Sequence, residues 1–197
     1  MNKIIKDALV LLAITLVAGV ALGLVYEVTK DPIAQGAEKA KQEAYAAVFE
    51  KAEFSADDAI TAKVNELGKT YDGAIVTEVL AAKSGGEVVG YVMSLTAKEG
   101  YGGAITLSMG VKKDGTITGL SVLEASETAG LGAKCKEPEF QAQFDASKGK
   151  HGPNMEVVKG GGATETQIDA ISGATITSKA ITKAVNAGLS FVAEISK

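Results

Sequence analysis

The chain has 197 residues, a formal charge of −4 and 46% hydrophobic side chains, which suits one ordinary domain with a real core plus an accessory helix. Phosphate-backbone binding needs a clustered basic surface, so the scattered lysines argue against a nucleic-acid partner. Cys135 is the only cysteine, and the chain by itself therefore holds no disulfide framework, CxxC redox pair or thiolate-ligated cluster.

The first element is apolar. Ala8 to Tyr26, ALVLLAITLVAGVALGLVY, carries no charge, and at the helical rise it just crosses a hydrocarbon core of about 30 Å. It reads as a transmembrane helix within a 1–30 segment. Lys3 and Lys6 precede it, which keeps the N-terminus in the cytoplasm and sends the bulk of the chain to the outer face. The competing reading is a cleaved signal peptide at Ala21-Leu22-Gly23, although the apolar run continues past the length of a signal h-region.

Residues 31–73 read as a connecting helix and loops. Asp31-Pro32 supplies an N-cap and a first-position proline, and the Ala-, Glu- and Lys-rich run after it predicts a helix reaching AEF at 52–54. Residues 55–73 predict loops and short elements.

From Ala74 to Glu124 the pattern turns to β, with four segments separated by Gly85-Gly86, the 100–103 loop and Asp114-Gly115. This predicts an antiparallel meander of about four strands, with type I′ hairpins at the Gly-Gly and Asp-Gly pairs. GGEVVGYVMSL and DGTITGLSVLE form a weak repeat, a turn glycine followed by a strand with a second glycine, read as one hairpin type used twice. Pro138 opens a short helix, the sole histidine, His151, reads as an exposed loop residue, and MEVVKGGG reads as an edge strand. From Thr177 onward Ile181, Val185, Leu189 and Val192 share one face of an amphipathic closing helix. The fold class is α+β: an N-terminal transmembrane helix, then an antiparallel β-meander with packed helices.

No GxGxxG in a βα unit, GxxxxGK[ST], HExxH or nucleophile-elbow GxSxG is present, so a side-chain triad or a P-loop is not the chemistry here. What stands out is IDAISGATITSKAI, residues 168–181, where hydroxyls and a glycine crowd the start of the last helix. A helix start favours anions, phosphate above all. Gly173 and Ala174 keep the backbone before Thr175 slim, and the plain reading of the same residues is a capped helix behind a tight turn.

The longer pattern Asp169-x-x-Ser172-Gly173-Ala174-Thr175 resembles the flavinylation motif of FMN-binding domains in the Rnf and sodium-pumping NADH:quinone oxidoreductase families. EGYGGAITLSMGV at 99–111 resembles their glycine-rich segment, and ETAGLGAK at 127–134 their Glu-Thr-x-Gly-Leu-Gly loop, with Ala129 where many relatives have proline. The single N-terminal span and the overall length look most like the G-subunit family of the Rnf complex.

That resemblance implies FMN joined through a phosphoester to Thr175, within an FMN-binding domain at 74–197. It implies ring contacts from Tyr101 and Gly102 and from Thr128, Gly130, Leu131 and Gly132, with Thr177 and Ser178 near the phosphate. Glu127 hydrogen-bonds the ring or faces water, while Asp169 and the slim Gly173-Ala174 segment help a flavin transferase using FAD and magnesium recognise the loop. The implied setting is a membrane-anchored electron-transfer subunit among other membrane subunits of an ion-translocating ferredoxin:NAD oxidoreductase, with little turnover from the isolated chain. Two alternatives stay open: a stand-alone flavinylated protein serving extracellular acceptors, and a non-redox exported structural module.

Overall fold

The computed structural model describes residues 3–49, 51–145 and 154–196, and His151 with its turn lies outside them. The chain divides into two units, residues 1–40 and 41–197.

The first unit is helical. Helix α1 (Lys3–Val48) is continuous, with Pro32 inside it, so the expected restart at Asp31-Pro32 does not occur. A proline removes only one backbone donor, and the long flanking run of good helix formers carries the helix through. Among the described residues α1 is the one helix long and apolar enough to cross a membrane, and its most apolar window has a mean hydropathy of 2.8 with nothing buried against protein.

The second unit is built on an antiparallel sheet of five strands in sequential order: β1 (Glu53–Ser55), β2 (Ala74–Ser84), β3 (Glu87–Ala97), β4 (Ile105–Lys112) and β5 (Ile117–Glu124). The four-strand meander is present as β2 to β5. The extra edge, β1, comes from residues expected to be helical: α1 stops at Val48, and Phe54 instead pairs opposite Ala82 and sets its ring edge-on to Tyr45 at 5.9 Å. Residues 55–73 hold a ten-residue helix, α2 (Asp58–Leu67), whose N-cap Asp57 accepts from the N–H groups of Ala59 and Ile60.

The two hairpins differ. Gly85 and Gly86 both have positive φ, as a type I′ turn requires. At the second, only Gly115 does, and its N–H donates to the Lys112 carbonyl over 3.0 Å, which makes a type I turn closed by a glycine bulge. The repeat is therefore not one hairpin used twice. Its second glycines have a different cause: a Cβ on Gly90 would lie 2.7 Å from the Phe49 ring, and one on Gly119 would lie 3.0 Å from the Val48 Cα. Together with Gly110 they make a bare patch on the sheet that seats the end of α1. Tyr45, Val48 and Phe49 complete a small core there with Ala82 and Val92.

The opposite face takes the closing helix, α4 (Thr175–Ile195), which starts two residues before the expected Thr177. The predicted stripe Ile181, Val185, Leu189 and Val192 is buried, and so are Ala180, Ala184, Ala187 and Gly188. Small residues let the helix sink into the sheet, since a Cβ on Gly188 would meet Met109, Met93 and Leu95 within 3.1 Å. Between sheet and α4 the chain makes a 3-10 turn (Gly132–Lys136), the short α3 (Pro138–Gln141) continuing as 3-10 to Phe144, and strand β6 (Glu156–Val158). β6 is not an edge of the meander; it pairs in parallel with β7 (Gln167–Asp169), three residues too short to show alternation in the sequence.

Candidate functional site

β7 delivers the motif. After Asp169 the chain turns at Ile171–Ala174, where the Ala174 N–H donates to the Ile171 carbonyl over 2.9 Å and Gly173, at φ 75°, takes the position that a type II turn reserves for glycine. The next residue but one, Thr175, opens α4. Ser178 locks turn to helix: its Oγ donates to the Ala174 carbonyl and accepts from the Ile171 N–H, each over 3.0 Å, with the side chain fully buried.

The helix has no side-chain cap. Ala174 occupies the N-cap position, and Thr177, in the first turn, is fully buried and donates to Glu127 Oε2 over 2.9 Å. The first N–H groups of α4 are left, as at any helix start, without acceptors inside the helix. Both hydroxyls expected beside a phosphate, those of Thr177 and Ser178, are engaged within the protein. The Thr175 hydroxyl, half-exposed, makes no hydrogen bond among the described residues.

Glu127, on the cleft wall, is engaged within the protein. Its Oε1 accepts from the Gly102 N–H over 3.2 Å while Oε2 holds Thr177, so one carboxylate ties the 100–103 loop, the 127–132 loop and the start of α4 together. Gly132 leaves room for that knot, because a Cβ there would lie 2.3 Å from Glu127 Oε2 and 2.7 Å from the Thr177 hydroxyl. Nearby Cys135 is buried; desolvation first, then the Glu127 charge, pushes its thiol above its ordinary pKa and keeps it protonated.

These three segments and the end of β6 enclose a cleft of about 770 Å³, the size of a cofactor site. It brings together Ser172, Gly173, Ala174, Thr175 and Thr177 from the motif with Tyr101, Glu127, Thr128, Leu131 and Gly132 from the loops. Asp169, Ser178, Gly102 and Gly130 are not among the residues that line it. The Asp169 carboxylate accepts from the Ala163 N–H, and its own N–H donates to Gln143 Oε1 over 2.8 Å.

Sequence reasoning missed Lys159, Gly160, Gly161 and Ile176 on this wall. The glycine run is visible in the sequence, but nothing in it tells that a parallel β6–β7 pair sets Val158 opposite Asp169 and so places Lys159 beside the motif. Outside α1, four large hydrophobic side chains are exposed among the described residues, Val89, Tyr101, Leu131 and Ile176, and the last three line the cleft. An apolar rim held open to solvent is the mark of a binding site.

Residues 1–48 match the RnfG N-terminal region and residues 100–190 the FMN-binding domain. The G subunit of the Na(+)-translocating ferredoxin:NAD(+) oxidoreductase complex of Acetobacterium woodii is 35% identical over 98% of this chain and 94% of its own length. The chain belongs to the G-subunit family of ion-translocating oxidoreductase complexes. Another relative, the G subunit of the ion-translocating oxidoreductase complex of Cereibacter sphaeroides, is 35% identical over 89% of this chain and 78% of its own. The crystal structure of NqrC from Shewanella oneidensis aligns with 59% of each chain at 26% identity and a TM-score of 0.49. The FMN-binding domain match contains every segment of the cleft wall, from Tyr101 to Thr177.

Proposed function

We propose that the chain is the membrane-anchored electron-transfer subunit of an ion-translocating ferredoxin:NAD oxidoreductase and carries FMN covalently on Thr175. The observation that carries this reading is the Thr175 hydroxyl: unpartnered, at the start of α4, on the wall of a cofactor-sized cleft inside an FMN-binding domain. A flavin working in an open compartment is lost by dilution if only weak contacts hold it, whereas a covalent bond retains it.

An alkyl hydroxyl needs a base and a metal to attack a phosphoryl group, so attachment falls to a separate flavin transferase using FAD and magnesium. The Thr175 Oγ–phosphorus bond forms, the pyrophosphate bond of FAD breaks, AMP leaves, and the hydroxyl proton passes to a base on the transferase. The turn with Gly173 holds Thr175 forward for that encounter. When bound, FMN supplies the electron-transfer chemistry. The protein supplies position: Tyr101, Leu131 and Ile176 present apolar surface to a flat ring, and the helix start favours the phosphate.

α1 is the anchor, with Lys3 and Lys6 on the cytoplasmic side and the cleft-bearing unit on the outer face. The partners are the other membrane subunits of the complex. Intact mass and in-gel ultraviolet fluorescence test the reading, on wild type and Thr175→Ala expressed beside the transferase. A gain of one FMN less one water in the wild type, absent in the mutant, is the expected result. An unmodified wild type, with the transferase active on another substrate, overturns it.

A further inference from the structure

Among the described residues the cleft wall holds one side chain of each charge, Glu127 and Lys159. Glu127 is spent on the Gly102 N–H and the Thr177 hydroxyl. Lys159 has no ion pair or hydrogen bond among the described residues. An ammonium without a counter-ion on the wall of a cofactor cleft is a place for an anion.

Its position says which part of a flavin nucleotide that anion belongs to. β6 and β7 run parallel with Val158 opposite Asp169, and the Ala170 N–H donates to the Val158 carbonyl over 2.8 Å. Lys159, one residue on, therefore stands alongside Ala170 and Ile171, at the entry of the turn that presents Thr175. Beyond it Gly160, Gly161 and Gly162 all have positive φ, and the Asp169 carboxylate holds the Ala163 N–H at the far end of the run. The backbone carrying Lys159 is thus tied at both ends to the motif strand, near the attachment hydroxyl.

Resting on the FMN reading above, we propose that Lys159 is the counter-charge for the phosphate joining the flavin to Thr175. A phosphodiester carries one negative charge at neutral pH, and α4 offers it only partial charge and backbone N–H groups. Lys159 brings the missing full charge from the strand beside the motif. Being exposed, it is screened by salt, and its contribution is that of a partly solvated pair.

The test is a thermal comparison on the detergent-solubilised full chain, unloaded and loaded with FMN by the transferase, for wild type, Lys159→Met and Lys159→Arg, with loading verified by intact mass. Unloaded, the three melt together, because an exposed, unpartnered lysine holds nothing. On loading, wild type and Lys159→Arg gain stability, and Lys159→Met gains less by about 2 °C, the shift expected of a partly solvated ion pair in a domain of this size. Equal gains in all three, with full loading, overturn the role of Lys159 and leave the FMN reading standing. Equal gains with a lowered flavin midpoint potential in Lys159→Met place the ammonium against the ring instead, and overturn the assignment to the phosphate. A wild type that takes up no FMN mass removes the reading on which the inference rests.

Discussion

Thr177, closed off from solvent, donates its hydroxyl hydrogen to Glu127 Oε2 over 2.9 Å, joining residues fifty positions apart. The other carboxylate oxygen takes the Gly102 N–H. The bond does two things at once. It satisfies a hydroxyl that burial would otherwise penalise, and it fixes the start of α4 against both glycine loops, so the geometry around Thr175 depends on a residue that need not touch a ligand.

Replacing Glu127 with Ala leaves the Thr177 hydroxyl buried and unpartnered, at a cost of about 1–3 kcal/mol. Thr177→Val removes donor and demand together and is the milder change. In a double-mutant cycle the pair therefore couples by about 1 kcal/mol, measured by denaturant unfolding. Additive single effects would dissolve the knot.

The bare patch under α1 yields a second expectation. A Cβ on Gly90 meets the Val111 carbonyl at 2.5 Å and the Phe49 ring at 2.7 Å, whereas on Gly119 it meets the Val48 Cα at 3.0 Å. Gly90→Ala should lift the end of α1 off the sheet more than Gly119→Ala, and speed tryptic cleavage at the exposed Lys51. Gly161→Ala, also on a glycine but far from Val48 in sequence, leaves that cut unchanged.

How far these features were legible depends on their range. The apolar span, the four long strands and the closing stripe of α4 announce themselves because each repeats a period over many residues. The segment around Thr175 stands out in the sequence because its motif is contiguous. What stayed hidden is long-range: the bond from Thr177 to Glu127 spans fifty positions, and the place of Lys159 on the cleft wall depends on a three-residue parallel pairing. Local rules also misled where the surrounding chain outweighed them. Asp31-Pro32 carries a start signal that a longer helix overrides, Phe54 leaves a helical run for the sheet, and Asp114-Gly115 makes a bulged turn although the pair suits type I′.

Alkaline pH reports on one contact outside the cleft. Lys183 of α4 donates to Glu99 over 2.9 Å and to Asp72 over 3.2 Å, and these bonds, Glu99 first, raise its pKa. A raised pKa stabilises the fold fully below the unfolded lysine value of about 10.4 and is lost as pH climbs through the folded one. Tyr71, raised by burial and then by Glu194, titrates with the same sign. Stability should fall above about pH 10, with a shallower fall in Lys183→Met and a further reduction in Lys183→Met/Tyr71→Phe, followed by melting temperature. Because the lysine is exposed, 1 M salt shrinks the Lys183 part and leaves the burial share of the Tyr71 part.

Gly173 joins backbone strain to the proposed attachment chemistry. At φ 75° any side chain is strained, and a Cβ would also press on Leu131 at 3.0 Å, a cleft residue. Gly173→Ala should destabilise the fold by about 1 kcal/mol. On the proposed attachment its larger effect falls on Thr175, two residues on, because the turn relieves its strain by moving the hydroxyl away from the position a flavin transferase would have to reach. Flavin incorporation at limiting transferase, followed by in-gel fluorescence against time, should slow by at least about tenfold, since small misplacements of a reacting atom carry disproportionate penalties. Ser172→Ala, in the same turn but with ordinary φ and an exposed side chain, is the control that tells strain from loss of motif identity: incorporation near the wild-type rate there, with a slow Gly173→Ala, assigns the effect to backbone geometry.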